Sequence, residues 1–575
     1  MSPRPALPTP IAKPAKETAT SSAGAVRANA GGPAVTLSRF KQWSEQYSTA
    51  TPEARAAMLY EGGSLALERR QVMKDLIVKN PKYAIENAVP YRVRKVLPGE
   101  ILALLEEWVT GRADYKVFAT SPAPGQKPVS SVFRQADING RTYDAFVYGQ
   151  RVRERSGRNV PIYGVALDNS LAIAESAIRP LDSVEATDLI AAGKAPVDAI
   201  CSVSGIKTTV VDAVPAVGPA PVAAAAVQAP ATTVVAGATQ AHELVTTYGD
   251  IGGEVLAFCR PSHVARYSRL LFDRSGGSLN VLAGGPASGT SGGGSVPGYT
   301  YTQGQKKILY MRLVFPDDQT IPNTEEQAYQ DLNDLNNFFV KASHGTFSIQ
   351  GVVTPLLMMP QTKLWYSIPA PPSGASPATP LKVLTDLYNH ARTAAAEAGY
   401  YFADYEWDCI RFTTIPGAAW GGLGSVGGRN VWLQSDGLGV IGHEFGHNLG
   451  LMHANFWDTT PGAAPGGTQE PSSAAGHNTA NGTGASIDYG DFFCMMGIGF
   501  PGQYNQFHKW NLGWIADSAV TMFNGTTNAS STIRLYAMDA PLVLQNRQHA
   551  IRIRRRSEIN RKRSSYWLEP TRHKW

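Results

Sequence analysis

Apolar residues recur at helical spacing across residues 37–87, where Leu59, Leu65, Leu67, Met73 and Ile77 are expected to anchor one face. Leu97-Pro98-Gly99-Glu100 then predicts a further helix running through Leu102, Leu104 and Leu105 to Trp108. Over 115–178 the period falls to two, as in Asp144-Ala145-Phe146-Val147-Tyr148-Gly149, and short strands are expected. Residues 37–213 therefore read as a small α+β domain. A second patterned region begins near Lys306. A buried strand is expected at 308–315, a helix at 324–341 with Leu332, Leu335, Phe338 and Phe339 on its apolar side, and a strand at 346–358. A helix at 380–398 and a strand at 409–414 follow. Alternating strands and helices imply a twisted sheet with helices packed on it.

The segments between these patterns are of low complexity. Residues 1–36 read as disordered. Residues 214–305 form two linkers around a short ordered segment: an uncharged Ala/Pro/Val run at 214–241 and a Gly/Ser run at 284–298. The first run is long enough to raise the question of a membrane span, but Pro215, Pro219, Pro221 and Pro230 interrupt it and alanine adds little hydrophobicity. No apolar signal-peptide core stands out near the N-terminus. Residues 417–435 are glycine-rich and contain Asn430-Val431-Trp432-Leu433, which reads equally as an edge strand suited to an extended peptide or as an ordinary internal strand beside a loop. Beyond residue 516, Thr532-Ile533-Arg534-Leu535-Tyr536 and Tyr566-Trp567-Leu568-Glu569 have the alternation of strands, and 517–575 reads as a partial β-domain.

Charge changes the picture little. The net charge is +6, yet residues 547–575 hold ten Lys/Arg against two Asp/Glu, so the remainder carries −2. A basic tail, with Arg554-Arg555-Arg556 as a solvated face, does not make a nucleic-acid-binding domain, and no nucleic-acid partner is expected. Four cysteines (Cys201, Cys259, Cys409 and Cys494) are too few for a disulfide scaffold. Cys409 and Cys494 could bridge or remain buried thiols. Asn524-Gly525-Thr526 and Asn528-Ala529-Ser530 match glycosylation sequons.

The chemistry is concentrated in Gly442-His443-Glu444-Phe445-Gly446-His447-Asn448-Leu449-Gly450-Leu451-Met452-His453. Positions i and i+4 of a helix share a face, so His443 and His447 can direct their imidazoles at one metal ion. Glu444 is placed to reach the attacking water without being a ligand, and Gly450 can adopt the positive φ that ends the helix and returns His453 to the same metal. Three neutral imidazoles plus one water make a four-coordinate Zn2+ site with a reactive position. Copper, nickel or iron could accept the same ligands, but a redox-silent Lewis acid suits hydrolysis best. His477, alone in a Gly/Pro/Ala/Ser loop, reads as a solvated residue.

Together with Asp488-Tyr489-Gly490-Asp491-Phe492-Phe493-Cys494-Met495-Met496-Gly497 and the later Phe507, Lys509 and Leu512-Gly513-Trp514, this motif resembles the gametolysin-type metalloproteases. These are metzincins, and some digest extracellular-matrix or cell-wall glycoproteins. The resemblance covers about 306–514. It implies an α+β catalytic domain at 306–516 with an active-site helix and a Met-turn, an apolar floor beneath the metal for which Met496 is the first choice and Met495 the second. Some metzincins carry a tyrosine ligand two residues after that methionine; here the position is Ile498. The resemblance further implies a zinc endopeptidase with Glu444 as general base, protein or glycoprotein substrates, and an extracellular or cell-surface location. By position and size residues 37–213 read as propeptide-like, with an independent binding module as the alternative. As a propeptide the region is expected to block the cleft sterically if it confers latency, with Cys201 or Cys259 as the less favoured thiol ligands of a latent metal. The competing reading is a catalytically idle zinc-binding surface or adhesion protein of the same fold. Oligomeric state is not legible.

Overall fold

The computed structural model describes residues 32–123, 132–195, 199–204, 207–208, 246–274, 299–368, 380–458, 485–497, 502–523, 532–537, 547–554 and 565–568. Both linkers at 214–241 and 284–298, His477, Ile498, the two sequons and Arg555-Arg556 lie outside the described residues. None of the described helices is long and apolar enough to cross a membrane. The chain is a multidomain α+β protein built on one large mixed sheet.

Helices α1 (Pro33–Thr49), α2 (Pro52–Lys79) and α3 (Pro81–Glu86) form as the helical spacing predicts, each starting with proline in its first turn, where no backbone donor is lost. Leu65, Met73 and Ile77 are buried as expected, whereas Leu67 points outward and is 57% exposed. Two single turns follow, α4 (Tyr91–Arg94) and α5 (Gly99–Leu102). The expected helix to Trp108 does not form. The chain leaves it after Leu102, and Trp108 is already the second residue of a 15-residue strand, β1 (Glu107–Ser121). Leu105 still reaches the helical core, so its burial fits a turn as well as a helix.

β1 is joined by β2 (Val132–Ile138), β3 (Arg141–Phe146), β4 (Gly157–Leu167) and β5 (Ser170–Ile173). The hydrogen-bonded order β1-β2-β3-β5-β4 closes because β4 also pairs with β1. Val109, Ala113, Tyr115 and Val117 alternate into the interior of this small barrel. Short elements then flank it: β6 (Arg179–Pro180), α6 (Ser183–Ala191), β7 (Ala199–Ile200), β8 (Lys207–Thr208), β9 (Thr247–Ile251), β10 (Glu254–Phe258) and α7 (Pro261–Arg274).

The second region contributes β11 (Gly304–Val314), α8 (Glu325–Ala342), β12 (Phe347–Met358), α9 (Pro380–Glu397), β13 (Trp407–Arg411), β14 (Gly422–Ser425), β15 (Asn430–Leu433) and α10 (Leu438–Asn448). Strands β12, β11, β13 and β15 run parallel, and β14 turns back antiparallel on β15. Successive β11 residues face opposite cores: Ile308 and Tyr310 lie under α8 and α10, while Leu309, Met311 and Leu313 lie under α9. Burial on both faces explains the continuous apolar run. Thr324 and Gln327 close a capping box that starts α8. Beyond α10 come β16 (Phe456–Asp458), β17 (Ala485–Ile487) and α11 (Gln506–Asn511). A three-stranded sheet of β18 (Val520–Phe523), β19 (Ala550–Arg554) and β20 (Ser565–Leu568) lies near the C-terminus.

The sheet settles one open reading and changes one expectation. The strand Asn430–Leu433 is internal, held between β13 and β14. The outer side of β14 is taken in turn by the end of β1, with Phe118 opposite Ser425, Ala119 opposite Gly424, Thr120 opposite Leu423 and Ser121 opposite Gly422. Residues 37–213 and 306–516 therefore share one ten-stranded sheet. The burial of β1 records this: residues alternate along the barrel wall, then all are buried from Val117 to Ser121. Phe118 packs edge-on against Trp432 with ring centroids 5.7 Å apart. Phe118→Ala should destabilise the protein by about 3 kcal/mol, the usual scale for emptying a buried aromatic site. Urea unfolding reads this directly, and a loss below about 1 kcal/mol would mean that Phe118 does not join the two regions.

Candidate metal centre

α10 ends where the motif requires. Its last residues are His447 and Asn448, and Gly450 follows at φ +90°, a conformation costly for any residue with a Cβ. The turn closes with Gly450 N–H donating to the His447 carbonyl and Leu451 N–H to that of Gly446. His453 is thereby brought back beside the helix. One ligating nitrogen from each of His443, His447 and His453 lies within 4.8 Å of the others. The three imidazoles singled out by the motif spacing therefore lie together.

Each ring is oriented by its other nitrogen. His443 Nδ1 lies 2.9 Å from the Met495 carbonyl, His447 Nδ1 2.8 Å from the Leu451 carbonyl, and His453 Nδ1 3.2 Å from Asp488 Oδ2. Acceptors at Nδ1 place the proton there and leave Nε2 with its lone pair, the arrangement of a metal-ligating histidine. All three Nε2 atoms are buried without a hydrogen-bond partner among the described residues. Burial pushes His443 down to about 3 and His447 well below the ordinary histidine range, with repulsion between the clustered imidazoles adding to it. His443 and His447 are therefore neutral, as ligands must be. The donor set therefore fits a metal ion.

Glu444 projects from the same helix and is fully buried. Neither carboxylate oxygen has a hydrogen bond of good geometry among the described residues, and burial raises its pKa well above the usual carboxylate range. The Ser121 amide and hydroxyl face it and partly oppose that shift. A cation held by the imidazoles would act in the same direction.

Glycine lets these groups approach. A Cβ on Gly422 would fall 2.6 Å from Glu444 Cγ, and one on Gly424 would fall 2.7 Å from the Glu444 carbonyl oxygen and 2.8 Å from His447 Cβ. The glycines of β14 thus seat α10 directly on the strand, while Leu423 between them faces the core under α9. Asn448 fastens the end of the helix, donating to the Ser425 and Asn430 carbonyls. On the other side, Met496 Sδ would lie 2.3 Å from a Cβ on Gly446, and Met495 Cε 3.1 Å from one on Gly442. Both methionines are fully buried.

Several participants were not legible in the sequence. Tyr489 stacks on His453 with centroids 3.9 Å apart, and its hydroxyl donates to the Thr120 carbonyl of β1. Asp488 and Tyr489 stood within the motif that carries the resemblance, but nothing in their spacing assigned them to His453. Arg155, from the barrel region, lies against Gly450: a Cβ there would be 2.8 Å from the guanidinium carbon. Ser121 and Arg155 are more than 290 residues from their neighbours in the motif, a distance no local pattern bridges. Cys409 and Cys494 are separate free thiols, and Cys201 and Cys259 gather around His263 rather than around these imidazoles. A cavity of about 680 Å³ lies among Tyr91, Trp108, Tyr163 and Arg179. None of its lining residues belongs to this centre.

No family model matches the chain, and no curated protein is significantly similar to it.

Asp488→Asn tests the orientation of His453. Losing the carboxylate behind a ligating imidazole typically costs about 10–100-fold in metal affinity. Competition titration with a chromophoric chelator should show that weakening with the fold retained, and an unchanged affinity would remove Asp488 from the centre.

Proposed function

We propose that this chain is a zinc-dependent endopeptidase of the metzincin type, resembling gametolysin, with His443, His447 and His453 as ligands and Glu444 as general base. The observation that carries the reading is the convergence of three buried Nε2 atoms, without a hydrogen-bond partner among the described residues, beside a buried carboxylate that Ser121 faces. A centre that served only to hold the fold together would need the imidazoles but not Glu444.

A bound zinc ion supplies Lewis acidity, lowering the pKa of water and polarising a carbonyl. His443 and His447 are fixed on one helix, and their Nδ1–H···O=C bonds hold the rings at the angle a shared ligand requires. His453 is held by Asp488 from one side and by the Tyr489 ring from the other. Glu444 takes the proton of the attacking water and passes it to the leaving amine. Burial favours the proton-bearing state of Glu444, while the Ser121 amide and hydroxyl and a bound cation would draw it back toward the carboxylate needed to accept the first proton. Met495 and Met496 fill the space behind the helix and exclude water from that side.

The position of β1 supports a propeptide-like role for the N-terminal region. An extended substrate chain adds most readily to a free strand edge. On β14 that edge is paired with Phe118–Ser121, and the following Pro122 carbonyl lies 2.8 Å from where a Cβ on Gly421 would be. The chain thus covers the edge of β14 beside Glu444. Steric cover of this kind replaces the thiol ligand as the source of latency, since neither Cys201 nor Cys259 groups with the three imidazoles.

Glu444→Gln should keep the metal and lose about a hundred- to ten-thousand-fold in turnover, the span of general-base contributions. Metal content and peptide cleavage are to be measured on one preparation, cut within 284–305 and separated from the N-terminal region. Near wild-type cleavage by the metal-loaded variant would remove Glu444 as the general base, and no cleavage by the zinc-loaded wild type would favour the idle zinc-binding protein. In the same assay the uncut wild type should be slower than the cut form, and equal rates would reject latency.

A further inference from the structure

Cys201, Cys259 and His263 form a second cluster, far along the chain from the helix motif. All three are buried, and their ligating atoms lie within 4.8 Å of one another. His263 Nδ1 is 3.3 Å from each sulfur. Tetrahedral coordination with metal–sulfur bonds near 2.3 Å and a metal–nitrogen bond near 2.0 Å places the ligand atoms roughly 3.5–3.8 Å apart. The two nitrogen–sulfur sides here are 3.3 Å and the sulfur–sulfur side is within 4.8 Å, so a small adjustment would admit such an ion. We propose that Cys201, Cys259 and His263 bind a structural zinc-class ion that staples the segment 246–274 to the N-terminal region.

The donor set is specific. Two thiolates and one imidazole select a soft or borderline ion and disfavour magnesium or calcium, which require oxygen. The three ligands come from three elements. Cys201 follows β7, Cys259 follows β10, and His263 stands in the first turn of α7. His263 is positioned locally by its amide, which donates to the Arg260 carbonyl. The Cys201 arm is held next to β10 by the Ser202 amide on the Ala257 carbonyl. The sulfurs are therefore brought together by backbone pairing that does not itself involve them. Arg260 Nε donates to His263 Nε2 at 3.1 Å, which places the ring proton on Nδ1. Metal binding would move that proton to Nε2 and turn the guanidinium away, and Arg260 is exposed and has room to do so.

The surrounding fold gives the ion a task. The lobe formed by β6, β9, β10 and α6 has a core of three buried residues, Ala186, Tyr248 and Ala257. So small a core buries little apolar surface, and small domains of this kind are commonly stabilised by a metal or by disulfides. Cys201 and Cys259 are also separated by a long stretch of chain, and joining distant points removes the most entropy from the unfolded state. A direct disulfide would use the same two thiols, and the experiment separates it from the metal.

The full chain is purified metal-free and titrated with cobalt(II), whose absorption reports thiolate ligation through a near-ultraviolet charge-transfer band. Wild type should take up two equivalents, one of them producing that band. His447→Ala should lose one equivalent and keep the band. Cys259→Ser should lose the band and the other equivalent, and Cys259→His, which restores a ligand if the serine variant fails to fold, should bind with the band about halved. Absence of the band in the wild type, or a Cys201–Cys259 disulfide found by thiol counting in the freshly isolated protein, would overturn the proposal. Because the band belongs to the thiol cluster alone, the result stands whether or not the chain proves to be a protease.

Discussion

A buried imidazole nitrogen with no partner costs free energy, and three such nitrogens converge at one end of α10 together with a buried carboxylate. An apolar packing would bury none of them, and a hydrogen-bonded one would pair them with each other or with the backbone. The acceptors beside them, two backbone carbonyls and the Asp488 carboxylate, are instead spent on the opposite ring nitrogens. The polarity of the centre is thus aimed at a ligand, and the rest of the site follows from keeping it in place. Gly422 and Gly424 admit the helix to the sheet, Asn448 ties its end, and Gly450 turns the chain toward His453.

The second constraint is the sharing of β1. A strand that alternates along a barrel wall and then becomes buried on both faces belongs to two structures at once. Phe118 enters the core under α9, while Val117 and Ala119 stay with the barrel. The Tyr489 hydroxyl reaches the Thr120 carbonyl from the metal side, and Ser121 faces Glu444. The N-terminal region is accordingly part of the wall of the candidate centre, and its removal would expose one edge of β14 beside Glu444.

The sequence made the local parts of this legible. Helix α8, with its Thr324–Gln327 box, and the face formed by Leu332, Leu335, Phe338 and Phe339 follow from periodicity alone. So does the i, i+4 placement of His443 and His447. The failures share a cause. Trp108 was assigned to a helix because leucines continue past Leu102, but strand pairing with β4 overrides that local preference. Pattern alone left Asn430–Leu433 open between an edge and an internal strand, because the choice depends on its pairing with β13 and β14. The nearby Gly422 and Gly424 mark the close approach of α10. Ser121, Arg155 and the pairing of β1 with β14 depend on contacts between residues hundreds of positions apart, which carry no periodic signature. Cys201 and Cys259 were read as switch candidates by their position, and only the fold places them beside His263.

The central claim is that the three imidazoles and Glu444 form a hydrolytic centre. It is tested most directly by incubating the protein, freed of residues 1–283 and loaded with zinc, with an unfolded protein substrate and sequencing the fragments by mass spectrometry. The account predicts internal cleavages that stop when a zinc chelator is added and resume when zinc is restored. Intact substrate from a preparation shown to hold zinc at His443, His447 and His453, or cleavage indifferent to the chelator, would contradict it.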